Sequence, residues 1–190
     1  MTDRTPVIVS AARTPIGRFL GGLAPLTAPE LGAVAIRAAL ARATVDPAAI
    51  GEVIMGNVLQ AAVGQAPARQ AAMKAGIPGI VPAYTVNKVC GSGLQAVMLA
   101  AQAIRAGDEQ CLVAGGQESM SNAPHYVTGM RSGIKFGPQT MADGLPALGI
   151  VAAVLGVIAD AKGIEFVYRI CAYLPLMGLL TIFLPRMDRL

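Results

Sequence analysis

Apolar residues in the first three-quarters of the chain fall either into short unbroken runs or into helical spacing. Val7-Ile8-Val9-Ser10-Ala11-Ala12, closed by Arg13-Thr14-Pro15, has the pattern of a buried strand. A Gly-rich loop from Gly17 to Gly22 follows. Thr27-Ala28-Pro29-Glu30 is then a capping box with Pro in the first turn. The helix it opens carries Leu31, Val34, Ala35, Ala38 and Ala39 on its apolar positions and should run to about Ala43. Asp46-Pro47 starts a further short turn of helix. Glu52 to Leu59 predicts a strand, and Pro67 to Ala75 a helix with Arg69 and Lys74 outward. Tyr84-Thr85-Val86 is a short extended piece. The segment that follows Cys90-Gly91-Ser92-Gly93 is apolar nearly all round as far as Ala106, broken only by Gln95, Gln102 and Arg105. That pattern predicts a buried helix, which Gly107 stops. Gln110 to Gly116 reads as a buried strand. Strands alternating with helices predict an α/β layered sheet. From Ser119 to Gly144 the pattern fades into a long loop rich in Gly, Ser, Met and Pro.

The character changes at Pro146. Gly149 to Ile158 is continuously apolar, Asp160-Ala161-Lys162-Gly163 is a polar turn, and Phe166 to Leu184 is apolar apart from Arg169. The second run is about 19 residues, near the roughly 20 needed to cross a bilayer. Pro175 within it is tolerable in a membrane helix and costly in a soluble one. The expected organisation is a domain over 1–145 and a hydrophobic helical tail over 146–190, with membrane contact through 149–184.

Composition adds little beyond that contrast. The net charge of +4, from 15 Lys/Arg against 11 Asp/Glu, is small and scattered, which argues against nucleic acid as a partner. Three cysteines (Cys90, Cys111 and Cys171) without a CxxC spacing, and a single His, His125, cannot assemble a Cys/His zinc site, so no metal is expected. Met-Thr-Asp-Arg-Thr-Pro lacks the long apolar core of a signal peptide, so a cytoplasmic setting with reduced cysteines is expected for 1–145.

The sharpest chemical feature is Val86-Asn87-Lys88-Val89-Cys90-Gly91-Ser92-Gly93. A cysteine where a strand ends and a helix begins lies at the positive end of the helix dipole, among backbone N–H groups that favour an anion. Such a place lowers a thiol's pKa toward the nucleophilic thiolate. The same N–H groups could hold the oxyanion of an attacked thioester, and Gly91 and Gly93 leave room for a substrate. From the residues alone, an inert packed thiol is the commoner meaning of a cysteine. Cys111, inside an apolar strand, is read that way.

Three strings carry a resemblance. Ala11-Ala12-Arg13-Thr14-Pro15-Ile16-Gly17 resembles the opening strand and loop of thiolases. Asn87-Lys88-Val89-Cys90-Gly91-Ser92-Gly93-Leu94 resembles their nucleophile motif, and Ala114-Gly115-Gly116-Gln117-Glu118-Ser119-Met120-Ser121 their next strand and turn. They stand in family order and spacing, and the likeness runs from Val7 to Leu145, nearest to acetyl-CoA acetyltransferases. The resemblance implies a layered αβα fold, incomplete here, and an acyl-CoA substrate with no bound cofactor. It implies that Cys90 takes the acyl group as a thioester while its own backbone N–H contributes to an oxyanion hole. It makes the 125–141 loop the place where homo-oligomers meet, and leaves His125 without an acid–base role. Thiolases also need a second cysteine and a histidine, in Cys-x-Gly-Gly-Gly and Gly-His-Pro motifs. This sequence contains neither, so catalytic incompleteness is expected.

The tail, through Ile158 to Tyr168 and Leu174-Pro175-Leu176, resembles the last two helices of a major facilitator superfamily transporter of the fosmidomycin-resistance type. That second likeness offers a different function, a membrane-anchored fusion remnant without catalysis. A third is an interaction protein that inserts into intact thiolase oligomers.

Overall fold

The computed structural model describes residues 4–134 and 136–145. Contacts divide the chain into Met1–Leu145 and Pro146–Leu190, and the first of these units is described here. The apolar helices expected over 149–184, with their membrane contact, lie outside the described residues. Among the described residues no helix is long and apolar enough to cross a membrane.

Helix α1 (Ala28–Ala43) starts where the capping box places it. The backbone N–H and the hydroxyl of Thr27 both donate to Glu30 Oε2 at 2.8 Å, so the carboxylate closes the first turn. Asp46 Oδ1 accepts from Ala48 N at 2.9 Å and caps the short 3-10 turn Pro47–Ala49. Three strands, β1 (Glu52–Gly56), β2 (Ala83–Val86) and β3 (Leu112–Gly116), form a parallel sheet in the order β2-β1-β3. Helix α2 (Pro67–Lys74) connects β1 to β2, and α3 (Ser92–Ala106) connects β2 to β3. In the register, Ile54 stands between Tyr84 and Ala114.

The central strand is buried on both faces, as a parallel strand covered by helices must be. Val53 and Met55 pack with Ile36, Leu40, Ala68 and Ala71 of α1 and α2, while Ile54 packs with Ala96 and Ala100 of α3. The result is an α/β unit of three layers: α1 and α2, the sheet, then α3. Topology dictates this split. The chain moves from β1 to β2 in one direction and from β2 back past β1 to β3 in the other. Right-handed crossovers therefore put α2 and α3 on opposite faces.

Small residues let α3 come down onto the sheet. A Cβ on Gly56 would lie 2.6 Å from Gly93 N and 2.7 Å from Ser92 Cβ, and one on Gly116 would lie 3.3 Å from Gly93 Cα. Gly93, read from sequence as room for substrate, is thus packed against the ends of β1 and β3.

Two further expectations differ from the structure. Val7 to Ala12 is not a buried strand: Val7, Ile8 and Val9 are 72%, 80% and 69% exposed, and the run pairs with no strand among the described residues. A strand is stable only with a ladder partner, and this run is instead held by a hydrogen bond in which Arg42 Nη1 donates to Ala11 O at 2.7 Å. Helix α3 is buried along one stripe only. Ser92, Ala96 and Ala100 face the sheet, while Leu94 and Met98 are exposed. The other elements agree within a few residues at their ends. The long loop contains a two-residue antiparallel ribbon, β4 (His125–Tyr126) with β5 (Ala142–Asp143).

Gly56→Ala should cost roughly 1–3 kcal/mol, since the added methyl meets backbone that cannot swing away. Urea unfolding followed by circular dichroism measures it, and an unchanged midpoint would show that the contact is loose. The second expectation concerns acid. Hydrogen bonds from the Thr27 backbone and hydroxyl hold the Glu30 carboxyl below its ordinary 4.5, with help from Lys74 at 3.9 Å. A depressed folded value means that Glu30 stabilises fully above 4.5 and loses that contribution as pH falls through the lower folded value. The acid slope of stability should therefore be shallower in Glu30→Gln than in the parent chain.

Candidate active site

In open parallel sheets, ligands bind in the crevice outside the carboxyl ends of the strands. Three loops leave that edge here: Asn57 to Leu59 after β1, Asn87 to Gly91 after β2, and Gln117 to Ser119 after β3. Asn57 N donates to Val86 O at 3.1 Å and Gln117 N to Gly56 O at 2.9 Å. These bonds extend the sheet one residue and bring the three loops side by side.

Cys90 lies in the second loop, two residues before α3 begins, and its thiol is free and exposed. Its backbone N–H has no acceptor among the described residues. Val89 before it has φ 50°, left-handed, where a β-branched side chain is strained by about 1–3 kcal/mol. Local hydrogen bonds enforce that turn. Val89 N donates to Asn87 Oδ1 at 3.1 Å. Ser92, buried to 4% exposure, donates from Oγ to Val89 O at 2.6 Å and accepts from Lys88 N at 2.8 Å. Gly91 N and Ser92 N donate back to Lys88 O and Val89 O, each at 3.1 Å. The chain reverses sharply, and Cys90 stands at the outside of the reversal, beside the N-terminus of α3.

The third loop supplies an acid that sequence reasoning did not single out. Glu118 accepts from Asn57 Nδ2 at 2.6 Å, from Val58 N at 2.8 Å and from Leu59 N at 3.2 Å. Its only signal in the sequence is that it is the one acid after a Gly-rich strand end. Asn87, Ser92 and Asn57 were also passed over, since their roles arise from contacts made by folding.

Other candidates stay outside this edge. Cys111 is half-buried and packs against the α1–α2 core. His125 lies in the β4–β5 ribbon, its Nε2 4.0 Å from Asp143. A surface depression lined by Val127, Gly129, Met130, Arg131 and Ser132 belongs to the loop between β4 and β5. Among the described residues no group of His, Cys, Asp and Glu could hold a metal ion.

Residues 6–163 match the family model described as thiolase, N-terminal domain. The chain belongs to the thiolase family. An acetyl-CoA acetyltransferase of Cupriavidus necator is 61% identical over 143 residues, 75% of this chain and 36% of that protein. Acetyl-CoA acetyltransferase 2 of Arabidopsis thaliana is 57% identical over 145 residues, 76% of this chain and 36% of its own. The crystal structure of a thiolase from Ascaris suum in complex with coenzyme A superposes with a TM-score of 0.72 at 40% identity, covering 84% of this chain and 42% of the other. The chain thus spans little more than a third of the length of these curated relatives. The family match continues past Leu145 to residue 163, into the stretch that was expected to resemble a transporter. That tail resemblance and the fusion reading built on it gain no support.

Ser92→Ala should cost about 1–3 kcal/mol, because Lys88 N and Val89 O would each lose a partner at a buried position. Chemical denaturation measures it, and a neutral result would show that water replaces the hydroxyl.

Proposed function

We propose that this chain carries the acyl-accepting half of a thiolase reaction, with Cys90 as nucleophile and an acyl-CoA, acetyl-CoA first, as substrate. The observation that carries the reading is the exposed free thiol on a strained turn at a helix N-terminus, beside a backbone N–H with no acceptor among the described residues. Family membership and the coenzyme A complex of the Ascaris suum thiolase point the same way.

In this reading Cys90 Sγ bonds to the thioester carbonyl carbon. Negative charge collects on the carbonyl oxygen, where the Cys90 N–H and the positive end of α3 stabilise it. The bond from that carbon to the coenzyme A sulfur then breaks. The acyl group stays on Cys90, and the thiol's proton goes to the departing coenzyme A thiolate. No other cofactor is needed. The second cysteine and the histidine that thiolases use to activate the nucleophile and deprotonate the second substrate have no counterpart motif in this sequence. Assembly through the 125–141 loop is part of the same proposal, supported by the exposure of Met130, Ile134, Phe136 and Met141 there.

Incubation with acetyl-CoA followed by intact-mass measurement tests the first step. One acetyl group should be gained by the parent chain and by Cys111→Ser, and by no Cys90→Ala sample. Absence of the adduct on the parent chain would remove Cys90 as the nucleophile.

A further inference from the structure

We propose that Glu118 is a positioning residue for Cys90, acting through Val58 and Asn87. The inference rests on the nucleophile reading above and extends it to a side chain that touches no reacting atom. The Glu118 carboxylate takes three donors from the loop after β1 and so fixes the backbone of Asn57, Val58 and Leu59. Hydrogen bonds to an ionised acceptor are the strong kind, and here two go to backbone N–H groups of consecutive residues. The held Val58 then presents its carbonyl oxygen to Asn87 Nδ2 at 3.4 Å. The other end of the Asn87 amide, Oδ1, receives Val89 N at 3.1 Å. Val89 is the residue in the left-handed conformation whose turn sets the direction of Cys90.

Two links are hydrogen bonds between neighbouring loops at one sheet edge, the third lies within the loop after β2, and the amide of Asn87 is the hinge of the relay. Asn57 reinforces the clamp. It is 1% exposed, and its amide nitrogen is committed to Glu118. An alternative, purely structural role for Glu118 would tie β1 to β3 without affecting the turn at Val89. That role predicts a loss of stability with no selective effect on chemistry at Cys90.

The experiment compares two reactions of Cys90 on the full chain, assigned by peptide mapping: acetylation by acetyl-CoA and alkylation by iodoacetamide. Acyl transfer needs the carbonyl oxygen to meet the Cys90 N–H, whereas alkylation needs only an accessible sulfur. Glu118→Gln removes the charge and sets an amide NH₂ against backbone donors. Asn87→Asp removes the donor to Val58 while keeping the acceptor for Val89. Each should slow acetylation by roughly tenfold and leave alkylation within about twofold, as a small misplacement of a reacting group does. The double variant should be no slower than the slower single, since both act in one relay. Equal losses in both reactions, additive losses, or unchanged acetylation would overturn the proposal. Should Glu118→Gln lose its cooperative melt, Asn87→Asp, altered at an exposed residue, decides alone. The Cys90 amide resonance gives a readout independent of chemistry. If the parent chain takes no acetyl group, the nucleophile reading fails, and a shift of that resonance in both variants still supports the coupling. An unmoved resonance overturns it.

Discussion

The close seating of α3 on the carboxyl edge of the sheet is the constraint on which the rest depends. Gly56, Gly93 and Gly116 meet where β1, β3 and the helix start converge, and a Cβ at Gly56 would collide with backbone. Because the helix begins there, Ser92 is buried deeply enough to hold both Lys88 and Val89, and Cys90 is left outside the turn. A helix held a few ångströms higher would still show its N-terminus to solvent, yet it would not bring the Cys90 loop into line with the loops after β1 and β3. Backbone packing sets where the helix starts, and the loop contacts around Glu118 and Asn87 act within that frame.

That geometry separates two kinds of work. The sheet and α1–α2 layer provide rigidity through Val53, Ile54 and Met55, all at 2% exposure or less. The loops at the edge spend some of that stability on strain, as the left-handed Val89 shows. Polar side chains of the loops, Asn87, Ser92 and Glu118, then make the strained form the one the chain keeps. Each binds a neighbour's backbone, so a change at any of them is felt at the turn.

Much of this fold was legible in the sequence because its signals are local. The Thr27–Glu30 capping box, the helical spacing after it, the Gly107 stop and the alternation of strands and helices all act within a few residues, and the structure follows them. Cys90 at the strand-to-helix junction was legible for the same reason. What the sequence hid depends on distant partners. Val7 to Val9 has the composition of a strand, but pairing is a property of the neighbour, and none is supplied among the described residues. The outer face of α3 is as apolar as its inner face, so periodicity could not tell which stripe the sheet would cover. Glu118 grips residues some sixty positions earlier, which no local pattern encodes.

The strand order also has a meaning for how the chain is made. The central strand β1 is the first of the three to be synthesised, and β3, its partner on one side, is the last: Glu52 pairs with Leu112. At ribosomal speeds the intervening residues take roughly 3–12 s to appear, far longer than local structure needs to form. During that interval β1 and β2 can pair, but the other flank of β1 is an open edge of apolar backbone. A nascent chain of this order is therefore most vulnerable to pairing with the wrong strand just before its Gly-rich third strand emerges.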